Sequence, residues 1–174
     1  MNSAQVAIAL GSNLGDSLAT VKMALELLDN RPGIAVKSCS SWYQTAPVGP
    51  PQPNYINGCA ILTVENTQET PAQTAEMFMQ ILLNVEAQFG RVRRERWGPR
   101  TLDLDLLLFD DLILQTPTLE IPHPRMRERA FVLVPLAEIA PHWIDPVSGK
   151  DISQLVESLD CSGVYTLSHS IIDN

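Results

Sequence analysis

The nine residues TLDLDLLLF at positions 101–109 leave this chain few options. Alternation of acid and leucine has a period of two, which marks a strand with one buried and one polar face. Leu102, Leu104 and Leu106 then point into a core, while Asp103 and Asp105 project from the other face with Cα atoms roughly 7 Å apart. A strand of this kind needs apolar elements laid over its leucine face.

The surrounding segments supply them. Residues 5–10 (QVAIAL) form an apolar run ended by Gly11 and read as a buried strand. In GSNLGDS the glycines and Asn13 are expected to turn the chain. Asp16 or Ser17 then caps a helix carrying Leu18, Val21, Leu25 and Leu28 at helical period to about Asn30. Pro32-Gly33 ends that helix, and residues 34–43 resume as strand. Residues 45–53 (TAPVGPPQP) hold four prolines and form a stiff, extended loop; residues 55–64 (YINGCAILTV) are strand-like. A second helix is expected from about Pro71, a first-turn proline, to Phe89, with Gly90 as its stop. Beyond the leucine-rich strand, Asp110-Asp111 introduces a short hairpin and IPHP makes an extended corner. Residues 131–139 read as a short helix interrupted near Pro135, and ISQLVESL as a weak amphipathic helix. The order strand, helix, strand, strand, helix, strand is the split βαβ pattern. The expected fold is therefore α+β: a ferredoxin-like βαββαβ core with an antiparallel sheet, helices on one face and C-terminal additions. Its 174 residues fit one domain, 1–174, with a core over about 5–145.

Two bare carboxylates on one strand face repel unless a cation neutralises them. Oxygen ligands with open positions suit Mg²⁺, which keeps waters and takes its other ligands from phosphates. Surface carboxylates are common, so the pair alone decides little. The preceding loop adds weight: Arg91, Arg93, Arg94, Arg96 and Arg100 are five of the twelve basic residues, gathered in ten positions of a chain with net charge −8. Arginine binds phosphate in a planar, bidentate manner. An acidic strand beside a basic loop makes the two halves of a metal–polyphosphate site. Trp97 is read as a plug or a hinge anchor for that loop. No GK[ST] ending follows GSNLGDS, which excludes a P-loop. His123, fixed between Pro122 and Pro124 and six residues ahead of Arg129, is a candidate phosphate donor. On a second strand Tyr55 and Asn57 share a face just after the proline loop, with Thr45 at that loop's start. A ring beside an amide can hold a flat heterocycle, although a Tyr packed in the core and an Asn in a turn is the stronger reading of these two residues alone.

The overall acidity argues against nucleic-acid or anionic-membrane binding, and no apolar run approaches the roughly 20 residues of a membrane span. Cys39, Cys59 and Cys161 form no CxxC pair and suit a reducing cytoplasm, where the chain is expected to act as a monomer. An RNA-recognition module shares the strand–helix order but needs paired aromatics on a basic sheet face, which are not evident here. A two-metal phosphohydrolase is the other rival.

Taken together, GSNLGD, TAPVGP with PNYINGCA, GRVRRERWGPRTLDLDLLLF and IPHPRMRERAFVLVPLAEIAP resemble the hydroxymethyldihydropterin pyrophosphokinase family of folate biosynthesis, over residues 5–145. The resemblance implies a ferredoxin-like α+β enzyme that moves a diphosphoryl group from ATP to the pterin's hydroxymethyl group, releases AMP and uses two Mg²⁺ ions. By matching position it implies Asp103 and Asp105 as metal ligands. Arg91, Arg93 and Arg100 match triphosphate and loop-closing arginines, and Trp97 the residue sealing the site. His123 and Arg129 match ATP-phosphate contacts, and Glu86 a nucleotide-side position. Tyr55 and Phe131 match the rings flanking the pterin, Asn57 the amide reading its edge and Thr45 a residue whose backbone assists. The segment between Arg93 and Arg96 is one residue shorter than the family's form, and Pro124 stands where an aromatic is sometimes found.

Overall fold

A computed structural model describes residues 2–46, 51, 53–90 and 101–167. The chain runs β1 (Ser3–Ser12), α1 (Ser17–Asp29), β2 (Ile34–Cys39), β3 (Tyr43–Thr45), β4 (Tyr55–Glu65), α2 (Pro71–Gln88) and β5 (Asp103–Phe109). There follow β6 (Leu114–Gln115), β7 (Glu120–Ile121), a 3-10 turn at Met126–Glu128, α3 (Ala130–Ile139), α4 (Ile152–Glu157) and β8 (Val164–Thr166). The main sheet has the order β5-β1-β4-β3-β8, with β2 on the same edge of β4 as β3, and every pairing is antiparallel. This is the expected α+β, ferredoxin-like arrangement.

The first core forms because Val6, Ile8 and Leu10 of β1, Leu62 of β4 and Leu104 and Leu106 of β5 all face α1 and α2. Those helices answer with Val21, Ala24 and Leu28, and with Phe78, Leu82 and Val85. Asp16 caps α1 by accepting from the Ala19 N–H, and Thr70 with Gln73 forms a reciprocal cap ahead of Pro71. Gly90, at φ 70°, takes the left-handed conformation just past the end of α2.

The helices do not keep to one face. Ala7 and Ala9 of β1, with Cys59 and Ile61 of β4, pack against Val132, Leu133 and Leu136 of α3 and Ile152 and Leu155 of α4. The C-terminal additions thus cover part of the sheet's second side. α3 also runs through Pro135 without the expected interruption. A proline's fixed φ is helical, one backbone hydrogen bond is forgone, and Pro135 is buried among the apolar residues of this helix.

Two further expectations need correcting. Gly11 belongs to β1 and not to the following turn, because its register with Asn57 on β4 and Asp103 on β5 continues the ladder. The strand expected over 34–43 is two strands. The chain breaks pairing at Ser40–Trp42, where the Ser40 hydroxyl accepts from the Cys59 N–H and the Trp42 ring lies over Gly58. A Cβ on Gly58 would sit 2.5 Å from that ring. The restart at Tyr43 brings Thr45 opposite Tyr55.

β5 departs from regular alternation at one point. Ala7 pairs with Leu108 and Ile8 with Leu106, so Leu107 is an extra residue. This bulge turns Leu107 and Leu108 into the second core. The Leu107 carbonyl also accepts from the His123 N–H at 3.0 Å, which docks the IPHP corner beside the acidic strand.

Candidate active site

Asp103 and Asp105 lie on the polar face of β5, as its alternation requires. Their neighbours across the ladder on β1 are Gly11 and Ala9, so the carboxylates stand beside a floor with no side chain larger than methyl. The strand is held from behind by Glu86 of α2. This carboxylate is only 4% exposed and accepts from the Leu104 N–H, between the two aspartates, at 2.7 Å.

The docked corner brings His123 and Arg129 to Asp105. His123 Nε2 is 3.9 Å from Asp105 Oδ1 and Arg129 Nη1 is 4.0 Å from Oδ2. Both separations exceed a hydrogen bond. His123 Nδ1 accepts from the Arg125 N–H at 3.2 Å, which leaves the proton on the nitrogen facing Asp105. Burial lowers the pKa of His123; Arg129 and Arg125 act in the same direction, against Asp105 and Glu120. The imidazole is thus a neutral donor at pH 7. The Arg129 guanidinium also lies 5.6 Å from the centroid of the Phe131 ring, within cation–π range. Arg127, in the same run, turns away and makes two hydrogen bonds to buried Asp145.

A single row of residues crosses four strands: Asp103 on β5, Gly11 on β1, Asn57 on β4 and Tyr43 on β3. Two interstrand steps separate Asp103 from Asn57, about 10 Å between backbones. Thr45 and Tyr55 are paired one step along the same face. The Thr45 hydroxyl donates to Asn57 Oδ1 at 2.6 Å, and both residues are buried. Asn57 therefore lies in a strand and not in a turn. Phe131, partly buried in the first turn of α3, borders the second core. The far end of α3 is tied to β3, where Glu138 accepts from the Tyr43 hydroxyl at 2.5 Å and from the Ser41 N–H and hydroxyl. Burial, then the bond to Glu138, raises the pKa of the Tyr43 phenol.

The structure thus brings Asp105, His123, Arg129 and Phe131 into one neighbourhood, and Asp103, Asn57, Thr45 and Tyr55 onto the same sheet face. Arg91, Arg93, Trp97 and Arg100 lie outside the described residues. Reading the sequence missed Gly11, Tyr43 with Glu138, and the Arg127–Asp145 pair. Only Gly11 had a local signal, since the β1 pattern can be extended past Leu10. The others join positions 95 and 18 residues apart.

Residues 7–141 match the family model described as 7,8-dihydro-6-hydroxymethylpterin-pyrophosphokinase. The chain is 50% identical, over 91% of its length and 77% of the relative's, to a 2-amino-4-hydroxy-6-hydroxymethyldihydropteridine pyrophosphokinase of Synechocystis. The chain belongs to this family. A Methylorubrum extorquens protein of the same name is 39% identical, with 90% of this chain and 94% of that one covered. Among solved structures, a Plasmodium falciparum HPPK-DHPS chain aligns with TM-score 0.63 at 14% identity. That likeness speaks for the fold and covers 88% of this chain but 43% of the larger one. Among the described residues no helix is long and apolar enough to cross a membrane.

Proposed function

We propose that this chain transfers the terminal diphosphoryl group of ATP to the hydroxymethyl group of 6-hydroxymethyl-7,8-dihydropterin, giving the diphosphate ester and AMP for folate biosynthesis, with two Mg²⁺ ions. One observation carries the reading beyond family membership. An acidic pair suited to metal and phosphate and a buried amide suited to a heterocycle edge share one sheet face, about 10 Å apart, with only Gly11 between them.

Asp103 and Asp105 would hold the metal. The donor set fits Mg²⁺: both are carboxylates, and no cluster of three or more His, Cys, Asp or Glu stands among the described residues to enclose an ion fully. Waters and phosphate oxygens would complete the coordination. Bound Mg²⁺ would neutralise phosphate charge and acidify the acceptor hydroxyl, so a dedicated protein base is unnecessary. His123 donates its Nε2 proton to a phosphate oxygen, and Arg129 supplies a guanidinium to another. Arg91, Arg93 and Arg100 contact the triphosphate from the loop, and Trp97 seals it. Glu86 serves the nucleotide side by holding β5 in place. Asn57 with Thr45 reads the pterin edge, and Tyr55 and Phe131 flank the ring. The cysteines Cys39, Cys59 and Cys161 are all free, in keeping with a cytoplasmic enzyme.

The test is to incubate the protein with ATP and the reduced pterin, with and without Mg²⁺, and separate the products. AMP and the pterin diphosphate, formed only with metal, are expected. Inorganic phosphate without AMP would instead favour a phosphohydrolase.

A further inference from the structure

Thr45 and Asn57 are joined by their side chains, a contact that backbone recognition by Thr45 does not call for. The Thr45 hydroxyl donates to Asn57 Oδ1 at 2.6 Å, in a buried setting. An Asn amide has two ends of opposite character, an acceptor and a double donor, and rotation by 180° exchanges them. A hydroxyl donating to Oδ1 favours one of the two orientations, because rotation would require the hydroxyl to turn and accept instead. Nδ2 is then the opposite end, on the side of Gly11.

The other side of the amide is set by β1. Gly11 pairs with Asn57 in the ladder, and a Cβ at Gly11 would lie 3.1 Å from Nδ2 and 3.9 Å from Cδ1 of Tyr55. The ring contact is ordinary, but the separation from Nδ2 is tight enough that the amide would have to give by a few tenths of an ångström. The missing side chain gives the Nδ2 end its room.

We propose that Thr45 and Gly11 together lock the Asn57 amide with Nδ2 presented, making Thr45 a specificity-determining positioning residue for an acceptor whose edge offers a hydrogen-bond acceptor, a ring nitrogen or lactam oxygen. This rests on the diphosphokinase reading for the identity of the substrate, but not for the orientation of the amide. Valine is close to isosteric with threonine and lacks only the hydroxyl, whereas serine keeps the hydroxyl and loses a methyl group. A packing role therefore predicts that valine is tolerated better than serine, and an amide lock predicts the reverse.

Steady-state kinetics on wild type, Thr45→Val, Thr45→Ser and Gly11→Ala separates these. The expected result for Thr45→Val is a rise in KM for the reduced pterin of about tenfold, with KM for ATP within about twofold, since a buried amide oxygen has lost its donor. Thr45→Ser is expected to stay close to wild type. Gly11→Ala is expected to raise the pterin KM alone. Wild-type behaviour of Thr45→Val, equal loss in the valine and serine variants, or a parallel rise in KM for ATP would overturn the proposal. If the wild-type protein forms no pterin diphosphate at all, the functional reading fails by itself. The side-chain amide resonances of Asn57 in ¹⁵N-labelled, ligand-free protein then decide the orientation. Displacement in Thr45→Val but not in Thr45→Ser supports the lock, and unchanged resonances in Thr45→Val refute it.

Discussion

Two aspartates in this molecule each face an arginine from the same short run, and they differ in how far the contact has closed. Asp145 is fully buried. It takes two hydrogen bonds from Arg127, one of 2.8 Å from the Ser148 hydroxyl and one of 3.0 Å from the Val147 N–H. Asp105 keeps 37% of its side chain exposed, and its nearest donors, His123 and Arg129, stop at 3.9 and 4.0 Å. A carboxylate whose lone pairs are all taken is a structural joint, pinning the turn after α3 to the corner before it. A partly exposed carboxylate whose nearest donors stand beyond bonding distance keeps the lone pairs that ligating a metal ion requires. Each carboxylate faces an arginine of the same run; the degree of saturation separates the roles.

Substitution at the two sites is expected to divide along that line. Asp105→Ala should lower turnover about a thousandfold or more, because a metal ligand is removed, while the melting temperature moves little. Mg²⁺-dependent turnover near wild type in this variant would remove Asp105 from the metal site. Asp145→Asn should do the converse and lower stability by about 2 kcal/mol, roughly 4–8 °C for a chain of this length, with kcat nearly unchanged. Its pH dependence sharpens the contrast. Burial alone would raise the Asp145 pKa, but hydrogen bonds from Arg127, Ser148 and the Val147 amide bring it below the ordinary value. The stabilisation is therefore complete above about pH 4 and is lost as pH falls through the depressed folded-state value. Thermal melts of wild type and Asp145→Asn should converge in acid; a gap that stayed constant would show that the pair does not titrate as described.

What could be read in advance follows from the range of the interactions. The alternation in TLDLDLLLF placed Asp103 and Asp105 correctly because strand periodicity is local, and Gly90 and Pro71 marked the ends of α2 for the same reason. The bulge at Leu107 was hidden, since three successive leucines satisfy either face. The break at Ser40–Trp42 was hidden too, because it depends on Gly58 making room for an indole from another strand. Nothing in RMRER distinguishes Arg127 from Arg129. Their opposite assignments come from Asp145 and Asp105, which are 18 and 24 residues away and on different sides of the corner. The resemblance named candidates by position but did not say that Glu86 spends a carboxylate oxygen on the Leu104 amide.

The two arginines give the next contrast. Arg129→Ala should raise KM for ATP about tenfold, through loss of a charge-assisted phosphate contact, with little change in melting temperature. Arg127→Ala should leave KM for ATP alone and reproduce the instability of Asp145→Asn. Equal kinetic damage from both substitutions would mean that the run acts as a diffuse basic patch. The expected division is between one arginine for ligand and one for fold.

The smallest effect is expected at a third carboxylate, Glu138, which is saturated like Asp145 and whose partners include the buried Tyr43 hydroxyl. Tyr43→Phe removes one donor and leaves Glu138 its bonds to Ser41, so the loss should be about 1 kcal/mol, roughly 2–4 °C. Its pH dependence mirrors that of Asp145. Burial and then Glu138 raise the Tyr43 pKa above its ordinary value, so this stabilisation is complete below about pH 10 and is lost only as pH climbs towards the raised value. Wild type and Tyr43→Phe should therefore converge in base, where wild type and Asp145→Asn remain apart. Both contacts are joints of the second sheet face: one holds α3 to β3, the other holds the turn after α3 to the corner carrying His123 and Arg129. If Tyr43→Phe also raised the pterin KM, the joint at β3 would reach the first turn of α3 and Phe131. An unchanged KM would confine it to stability, as expected for a tie made seven residues further along the helix.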